Sequence, residues 1–593
     1  MLRLKNLILF GFVLIAFWGL AFMVVRVGGK VVDSSPASQE VRAAITRLTS
    51  PDSDADAQAA ALGDFVEAGD SRAAAFLRSF REGQSIYRWK DRLVLVEKFD
   101  TDDDGNRTAR LFDHFLRTEL LESIEFIPVD EKQAVAPKGK QAVAPKADLE
   151  EVSASRRLRR DVLMAEDLLN LVSPDELICL QAAQKCGNSH KLDFLVPLET
   201  LAKESGRSEK IHRVARTGIC LIRISGNVPD LDEQEVLAAV RELGEIRSEV
   251  GIEALKELAA REDTSAALAT ECGVSIDAIE SYQGKVRNLS HVFNGISAGS
   301  VLILMALGLS IIFGLMGVIN MAHGELMMVG AYSTYVVMHI FGHAESTPAN
   351  HYYIFAIPAA FLTAAFFGIL IEFFVVRHLY GRPLDTLLAT YACGLAMIQG
   401  ARLIFGDNIG VNAPEGLVGS FEVFQDFNIA WARLFIIFFC GFSVLLIYLL
   451  MGKTRMGLLI RATTQNRATA RSLGVNSRFI DSMTFAFGSG LAGLAGCALT
   501  LIAGVTPDMG QNYIVDSFLV VVVGGVGELA GVVAAGLGIG VLNKVFEPFL
   551  GWIFPESTAT VTWGKVVILV LVIAFIQWRP AGIFPPKGRL ADV

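Results

Sequence analysis

Asn320, His323 and Glu325 stand close together in the stretch Phe313-Gly-Leu-Met-Gly-Val-Ile-Asn-Met-Ala-His-Gly-Glu-Leu-Met-Met-Val-Gly-Ala-Tyr332, between two apolar runs. An amide, an imidazole and a carboxylate can hold a small polar solute or relay a proton, and such groups are costly in hydrocarbon unless they face a cavity or a partner. The Gly324-Glu325-Leu326 core returns as Gly527-Glu528-Leu529 within Val520-Val-Val-Val-Gly-Gly-Val-Gly-Glu-Leu-Ala-Gly-Val-Val-Ala-Ala535. Paired hydrophobic segments interrupted by glycine are the pattern of a solute site formed by broken helices. Asn320, His323, Gly324, Glu325, Gly527 and Glu528 are therefore expected to line one pathway. Each has a plainer reading. A carboxylate in a helix's first turn meets free N–H groups and the positive dipole end, Glu528 can cap its own break, and asparagine can satisfy interrupted backbone.

A second feature is the basic segment Lys453 to Arg478. Leu458-Leu-Ile-Arg-Ala-Thr-Thr-Gln-Asn-Arg-Ala-Thr-Ala-Arg-Ser-Leu-Gly474 reads as a helix ended by a glycine C-cap. A helix lying across one membrane face between two spans is a surface that a motor protein can push on; the alternative is a basic helix held at anionic headgroups. Glu372 is expected to pair with Arg377 near a helix end rather than to line the path. Asp407, Asn408 and Asn412 form a polar loop cluster without ligand spacing. Asp100-x-Asp102-x-Asp104-Gly105 imitates a calcium loop, but Leu111 stands where the bidentate carboxylate is required, so a solvated turn is expected and no metal is assigned. No Gly-rich Lys-Ser/Thr phosphate loop occurs, so this chain is not expected to be an ATPase or to carry a cofactor of its own.

The elements that must position these groups follow from hydropathy. The chain has 593 residues, 52% of them hydrophobic, and a net charge of -9 with no basic stripe, which gives nucleic acid nothing to bind. Charged and apolar residues alternate before about residue 290, and charges almost vanish for long runs after it. The expected organisation is a signal peptide or anchor over 1–30, an exported helical-repeat domain over 31–285 and a membrane domain over 286–593. Residues 6–25 are continuously apolar behind Arg3 and Lys5, and their length inclines toward an anchor. Apolar runs near 293–316, 325–341, 353–376, 384–405, 430–452, 480–504, 529–549 and 562–577 approach the ~20 residues a crossing helix needs. The run 516–526 is too short and meets Gly524-Gly525 and Gly527, so it is expected to enter as a half-helix and break.

Arg377, His378 and Arg382, then Lys453, Arg455, Arg461, Arg467, Arg471 and Arg478, then Arg579, Lys587 and Arg589 mark cytoplasmic segments by the positive-inside rule. The loops 342–352, 407–429, 505–515 and 550–561 fall outside, together with residue 290 and the repeat domain before it. The C-terminus is expected in the cytoplasm.

Within 40–285, Leu180-Gln-Ala-Ala183 is followed by Leu198 and Leu201, and Leu237-Ala-Ala-Val240 at the same spacing by Leu255 and Leu258; a fainter copy begins near Ala59, with Leu77 in the matching place. Self-similarity at a fixed offset in amphipathic helices means stacked helix pairs, and a short HEAT-like solenoid is expected. Residues 85–97 alternate like one strand and are expected to return as a hairpin after Asp102-Asp-Asp-Gly-Asn106. The duplicated Lys-Gln-Ala-Val-Ala-Pro-Lys of 132–138 and 140–146 reads as a stiff linker. Four cysteines lie here, Cys179, Cys186, Cys220 and Cys272, and core thiols are favoured over disulfides. The fold class is thus all-α, a polytopic membrane domain with broken half-helices behind a helical-repeat domain that contains a small β-hairpin.

Asn294-Gly295-x-x-x-Gly299-Ser300, Gly317-Val-Ile-Asn-Met-Ala-His-Gly-Glu325, Tyr380-Gly-Arg-Pro-Leu384, the Arg461 to Gly474 loop and Gly524-Gly-Val-Gly527 together resemble the permeases of the branched-chain amino-acid type of ABC importer, over roughly 290–585. The repeat domain in front resembles the urea-transport member of that family. The resemblance implies a bacterial inner-membrane protein with a second permease subunit, two cytoplasmic ATPase subunits that use ATP, and a periplasmic solute-binding protein. It also implies that the loop carrying Arg461, Asn466, Ala468, Ala470 and Gly474 docks in the ATPase. One departure is that Ala468-Thr-Ala-Arg-Ser-Leu-Gly474 lacks the acidic residue that opens the usual coupling pattern.

The expected function is import of urea or a similar short amide by alternating access, because hydrogen-bonding groups suffice for a neutral solute and no Lys or Arg stands near the paired stretches. The alternative is branched-chain amino-acid import by the same mechanism. Rivals from other classes are a passive channel, which also uses half-helices meeting at the midplane but needs no coupling loop, and a membrane-anchored sensor or enzyme working through the solenoid. The solenoid is expected to contact the binding protein.

Overall fold

The computed structural model describes residues 39–50, 54–70, 72–82, 86–89, 92–96, 99–101, 107–110, 112–113, 143–145, 150–152, 154, 158–226, 232–261, 264–342, 352–553, 560–580 and 582–584. The apolar run 6–25, the Asp-rich turn at 102–106 and most of the duplicated linker lie outside them. The described residues fall into two compact units, one within residues 30–283 and one within 284–593.

The first unit is a row of helices: α1 (Gln39–Thr49), α2 (Ala55–Ala68), α3 (Arg72–Glu82), α4 (Leu158–Leu171), α5 (Glu176–Asn188), α6 (Leu195–Lys203), α7 (Glu209–Ile224), α8 (Glu233–Ile246), α9 (Gly251–Ala260) and the first part of α10 (Ala266–Met316). The repeat in the sequence returns as a repeat in packing. Leu198 and Leu201 on α6 are buried, as are Leu255 and Leu258 on α9. Close approaches recur at the same offset: a Cβ on Gly187 of α5 would lie 2.5 Å from Gly218 Cα of α7, and one on Gly244 of α8 would lie 2.8 Å from Ser275 Oγ of α10. The repeating unit therefore has three helices, not the expected two. Ile211, Ala215 and Ile222 of α7 close the apolar face of α5 and α6, and Leu268, Cys272 and Ile279 of α10 close that of α8 and α9. In the fainter copy, α2 and α3 pack on α4, with Leu77 fully buried.

The insert is larger than the expected hairpin. Residues read as one strand form two, β1 (Ile86–Trp89) and β2 (Arg92–Leu95), because the chain reverses between the paired Trp89 and Arg92. β3 (Phe99–Thr101) pairs antiparallel with β4 (Arg107–Arg110). With β5 (Phe112–Asp113), β6 (Val143–Pro145) and β7 (Glu150–Glu151) they make two sheets of order β5-β2-β1-β7 and β3-β4-β6. Cys179, Cys186, Cys220 and Cys272 are free, buried thiols. Burial pushes all four thiols up, Cys186 to about 12, which keeps them neutral and unreactive.

The second unit contains the rest of α10, then α11 (His323–Gly342), α12 (Tyr352–Phe374), α13 (Pro383–Phe405), α14 (Trp431–Lys453), α15 (Arg455–Gln465), α16 (Arg467–Ser472), α17 (Ser477–Leu499), α18 (Met509–Gly524), α19 (Leu529–Ile553) and α20 (Thr560–Trp578). Among the described residues, six helices are long and apolar enough to cross a membrane: α10, α12, α13, α14, α17 and α19. The half-helix α18 starts at Met509, so residues assigned by sequence to an outer loop form its first two turns. The segment 407–429, read as plain loop, carries most of a hairpin, β8 (Ser420–Phe424) and β9 (Phe427–Ala430).

Helix α17 organises the packing. Its apolar window is 83% buried, and it meets a different neighbour at each glycine: Gly308 of α10 at Gly488, Phe361 of α12 at Gly490, Ala360 and Ala364 of α12 at Gly493, and Met327 of α11 at Gly496. In hydrocarbon, apolar area gives no drive for helix association, so close backbone approach between small residues carries it. Gly295 and Gly299 of α10 serve the same purpose against Val541, Gly536 and Gly540 of α19.

Candidate translocation site

The chain between α10 and α11 is not helical from Gly317 to Ala322, which leaves the first N–H groups of α11 without intrahelical partners. Two N–H groups of the break itself are met by side chains. Ala322 N–H donates to Asn320 Oδ1 at 3.1 Å, and Met321 N–H donates to Thr390 Oγ1 of α13 at 3.1 Å. Asn320, His323 and Glu325 are 1%, 0% and 4% exposed. His323 Nε2 lies 3.0 Å from the carbonyl of Met305 on α10, and a Cβ on Gly308 would lie 3.0 Å from the ring. The Glu325 carboxyl packs on Gly394 of α13, where a Cβ would lie 3.0 Å from its carbon. Gly324 abuts Gly510 in the first turn of α18. Asn320 Nδ2, His323 Nδ1 and Glu325 Oε2 are buried with no hydrogen-bond partner among the described residues. Such atoms cost about 1–3 kcal/mol each unless something outside the chain satisfies them.

The second break runs from Gly525 to Glu528, between α18 and α19. Gly525 and Gly527 have φ of 101° and 84°, a region where a side chain would be strained. Gly527 N–H donates to Ser310 Oγ of α10 at 3.2 Å, and a Cβ on Gly314 would lie 2.6 Å from Gly527 Cα. Glu528 is half-buried, and its carbonyl accepts from Val532 N–H, the first bond of α19. Both breaks thus rest on α10, the first at Met305 and Gly308 and the second at Ser310 and Gly314. Sequence reasoning missed Thr390 and Gly394. Their signal is the i, i+4 stripe Thr386, Thr390, Gly394 of small and hydroxyl residues, continued by Ile398 along the buried face of α13.

The basic segment is two helices rather than one. Asn466 ends α15 and caps α16, its Oδ1 accepting from Thr469 N–H at 3.0 Å. Gly474 closes α16, with Val475 N–H donating back to the Ala470 carbonyl at 3.0 Å. Ala470 is buried, while Arg461, Asn466, Ala468 and Gly474 are exposed. Glu372 pairs with Arg377 at 3.1 Å and also accepts from Ser482 Oγ at 2.7 Å. Asp407 pairs with Arg402 at 2.8 Å, and Arg402 also reaches Asp508 at 3.0 Å. No group of His, Cys, Asp and Glu suited to a metal occurs among the described residues.

Six helices long and apolar enough to cross, two backbone breaks resting on one of them and buried polar groups at the first break mark a multi-pass membrane protein with broken helices of the kind that form solute sites. Residues 291–576 match the family described as branched-chain amino acid transport system / permease component. The chain is 29% identical to the high-affinity branched-chain amino acid transport system permease protein BraD of Pseudomonas aeruginosa, over 50% of this chain and 95% of the relative. It is 25% identical to the corresponding LivH of Escherichia coli K12, over 48% and 93%, and 22% identical to LivM of that organism, over 48% and 68%. No solved structure matches.

Proposed function

We propose that this chain is a transmembrane subunit of an ATP-driven importer that moves a branched-chain amino acid through the region of the first break by alternating access. The observation that carries the reading is the cluster Asn320 Nδ2, His323 Nδ1 and Glu325 Oε2, buried and unpartnered at a helix break inside the segment that matches the permease family. The relatives named for branched-chain amino acids favour that solute over the urea expected from the absence of nearby Lys and Arg. The partners are a second permease subunit, two cytoplasmic ATPase subunits and a periplasmic solute-binding protein. In this arrangement α15 and α16 meet an ATPase, the C-terminus is cytoplasmic, and the helical-repeat unit is periplasmic, where it contacts the binding protein. Membrane lipid covers the outer faces.

The test is uptake of labelled leucine and of labelled urea by the complete assembly in proteoliposomes, with and without ATP. ATP-dependent leucine uptake supports the reading. Urea uptake instead keeps the mechanism and moves the solute, and uptake indifferent to ATP turns the assignment toward a channel.

A further inference from the structure

Arg467 opens α16, the short helix in the segment proposed to meet an ATPase, yet its side chain turns back toward the permease. Its guanidinium pairs with the carboxylate of Asp481 on α17 and lies 4.6 Å over the ring of Tyr380, in the turn between α12 and α13. Asp481 is 5% exposed. One turn further along α16, Arg471 Nε donates to Ser477 Oγ of α17 at 2.7 Å. The next residue of α17 after Asp481, Ser482, donates to Glu372 of α12 at 2.7 Å and accepts from Arg377 at 3.1 Å. The beginning of α17 is therefore held from one side by α16 and from the other by the end of α12.

Resting on the importer reading, we propose that the Arg467–Asp481–Tyr380 clasp is the positioning device that carries movement of α16 into α17 and so couples ATP hydrolysis to opening of the first break. An exposed pair would slide and be screened. With its carboxylate withdrawn from water, this pair instead holds fixed geometry, and losing one partner strands the other. What α17 receives it delivers directly. Gly488, two turns after Asp481, packs on Gly308 of α10, which lies against the His323 ring, and Gly496 packs on the Met327 carbonyl of α11. The clasp also gives this chain a basic way to fix the loop whose usual acidic residue it lacks.

The test uses the complete assembly in proteoliposomes and reads solute imported per ATP hydrolysed. In Asp481→Asn, with reconstituted amount matched to the parent, ATP hydrolysis persists while import per ATP falls by about tenfold, within the usual range of coupling between sites. The exchanged pair Arg467→Asp with Asp481→Arg recovers much of the ratio, which Arg467→Asp alone does not. A purely structural staple would lower hydrolysis and import together and leave the ratio unchanged; that result overturns the proposal, as does an exchanged pair no better than either single change. If the parent assembly shows no ATP-dependent import, the importer reading fails and takes the clasp with it.

Discussion

The two Gly-Glu-Leu stretches look like copies, yet the fold treats them differently. Glu325 sits in the first turn of α11, almost without exposure, packed on α13 beside a loop whose N–H groups are met by Asn320 and Thr390. Glu528 precedes α19 as its cap residue and is half-buried, in a break shaped by two glycines of positive φ. The first break is a desolvated polar cluster, and the second is a bend of the backbone. An unpaired buried polar atom is expensive and a half-exposed one is not, so the first should carry solute recognition and the second geometry.

The strongest way to break this contrast is through the packing that encloses the first break. Gly493→Val places a branched side chain against Ala360 and Ala364 of α12; overpacking at such contacts costs about 1–3 kcal/mol or more, and loss of monodisperse protein on size exclusion is expected. Next, Glu325→Gln should lower solute uptake by about tenfold or more at unchanged abundance, whereas Glu528→Gln should stay within about threefold. Equal losses in the two variants would dissolve the distinction. A finer comparison sets Thr390→Val, which strands the Met321 N–H and should cost about 1–3 kcal/mol by thermal unfolding, against Ser310→Ala, whose Gly527 N–H is accessible enough for water to replace the hydroxyl at under about 1 kcal/mol. The smallest signal is in hydrogen exchange, where the Met321 and Ala322 amides should exchange more slowly than that of Gly527.

Much of this was legible beforehand for physical reasons. Hydrocarbon demands long apolar helices with satisfied backbones, so helices such as α12, α13 and α14 fall within a few residues of the apolar runs, and Gly524-Gly-Val-Gly527 announced its break. Glu372 and Arg377 were paired from their spacing alone. Thr390 and Gly394 were not legible, because an apolar helix with scattered small residues does not say which neighbour its stripe will face. The same holds for Gly488, Gly490, Gly493 and Gly496, which between them serve three helices, α10, α12 and α11. In the repeat unit the offset between copies was visible, but the third helix of each copy was not, because its apolar positions read equally well as a separate element. The expected single strand over 85–97 divided into β1 and β2, because alternation specifies strands without specifying where a strand reverses.

Composition and periodicity by themselves pointed to the breaks, the repeat offset and the spans α10, α12, α13, α14, α17 and α19, since each depends on local pattern and on the solvent the chain must meet. Only the tertiary structure decided that Glu325 is enclosed while Glu528 is partly open, that α17 is the helix on which α10, α11 and α12 converge, and that Arg467 turns inward to Asp481. Those outcomes depend on which backbones approach closely enough to exclude solvent, a property of pairs of helices that no single segment carries.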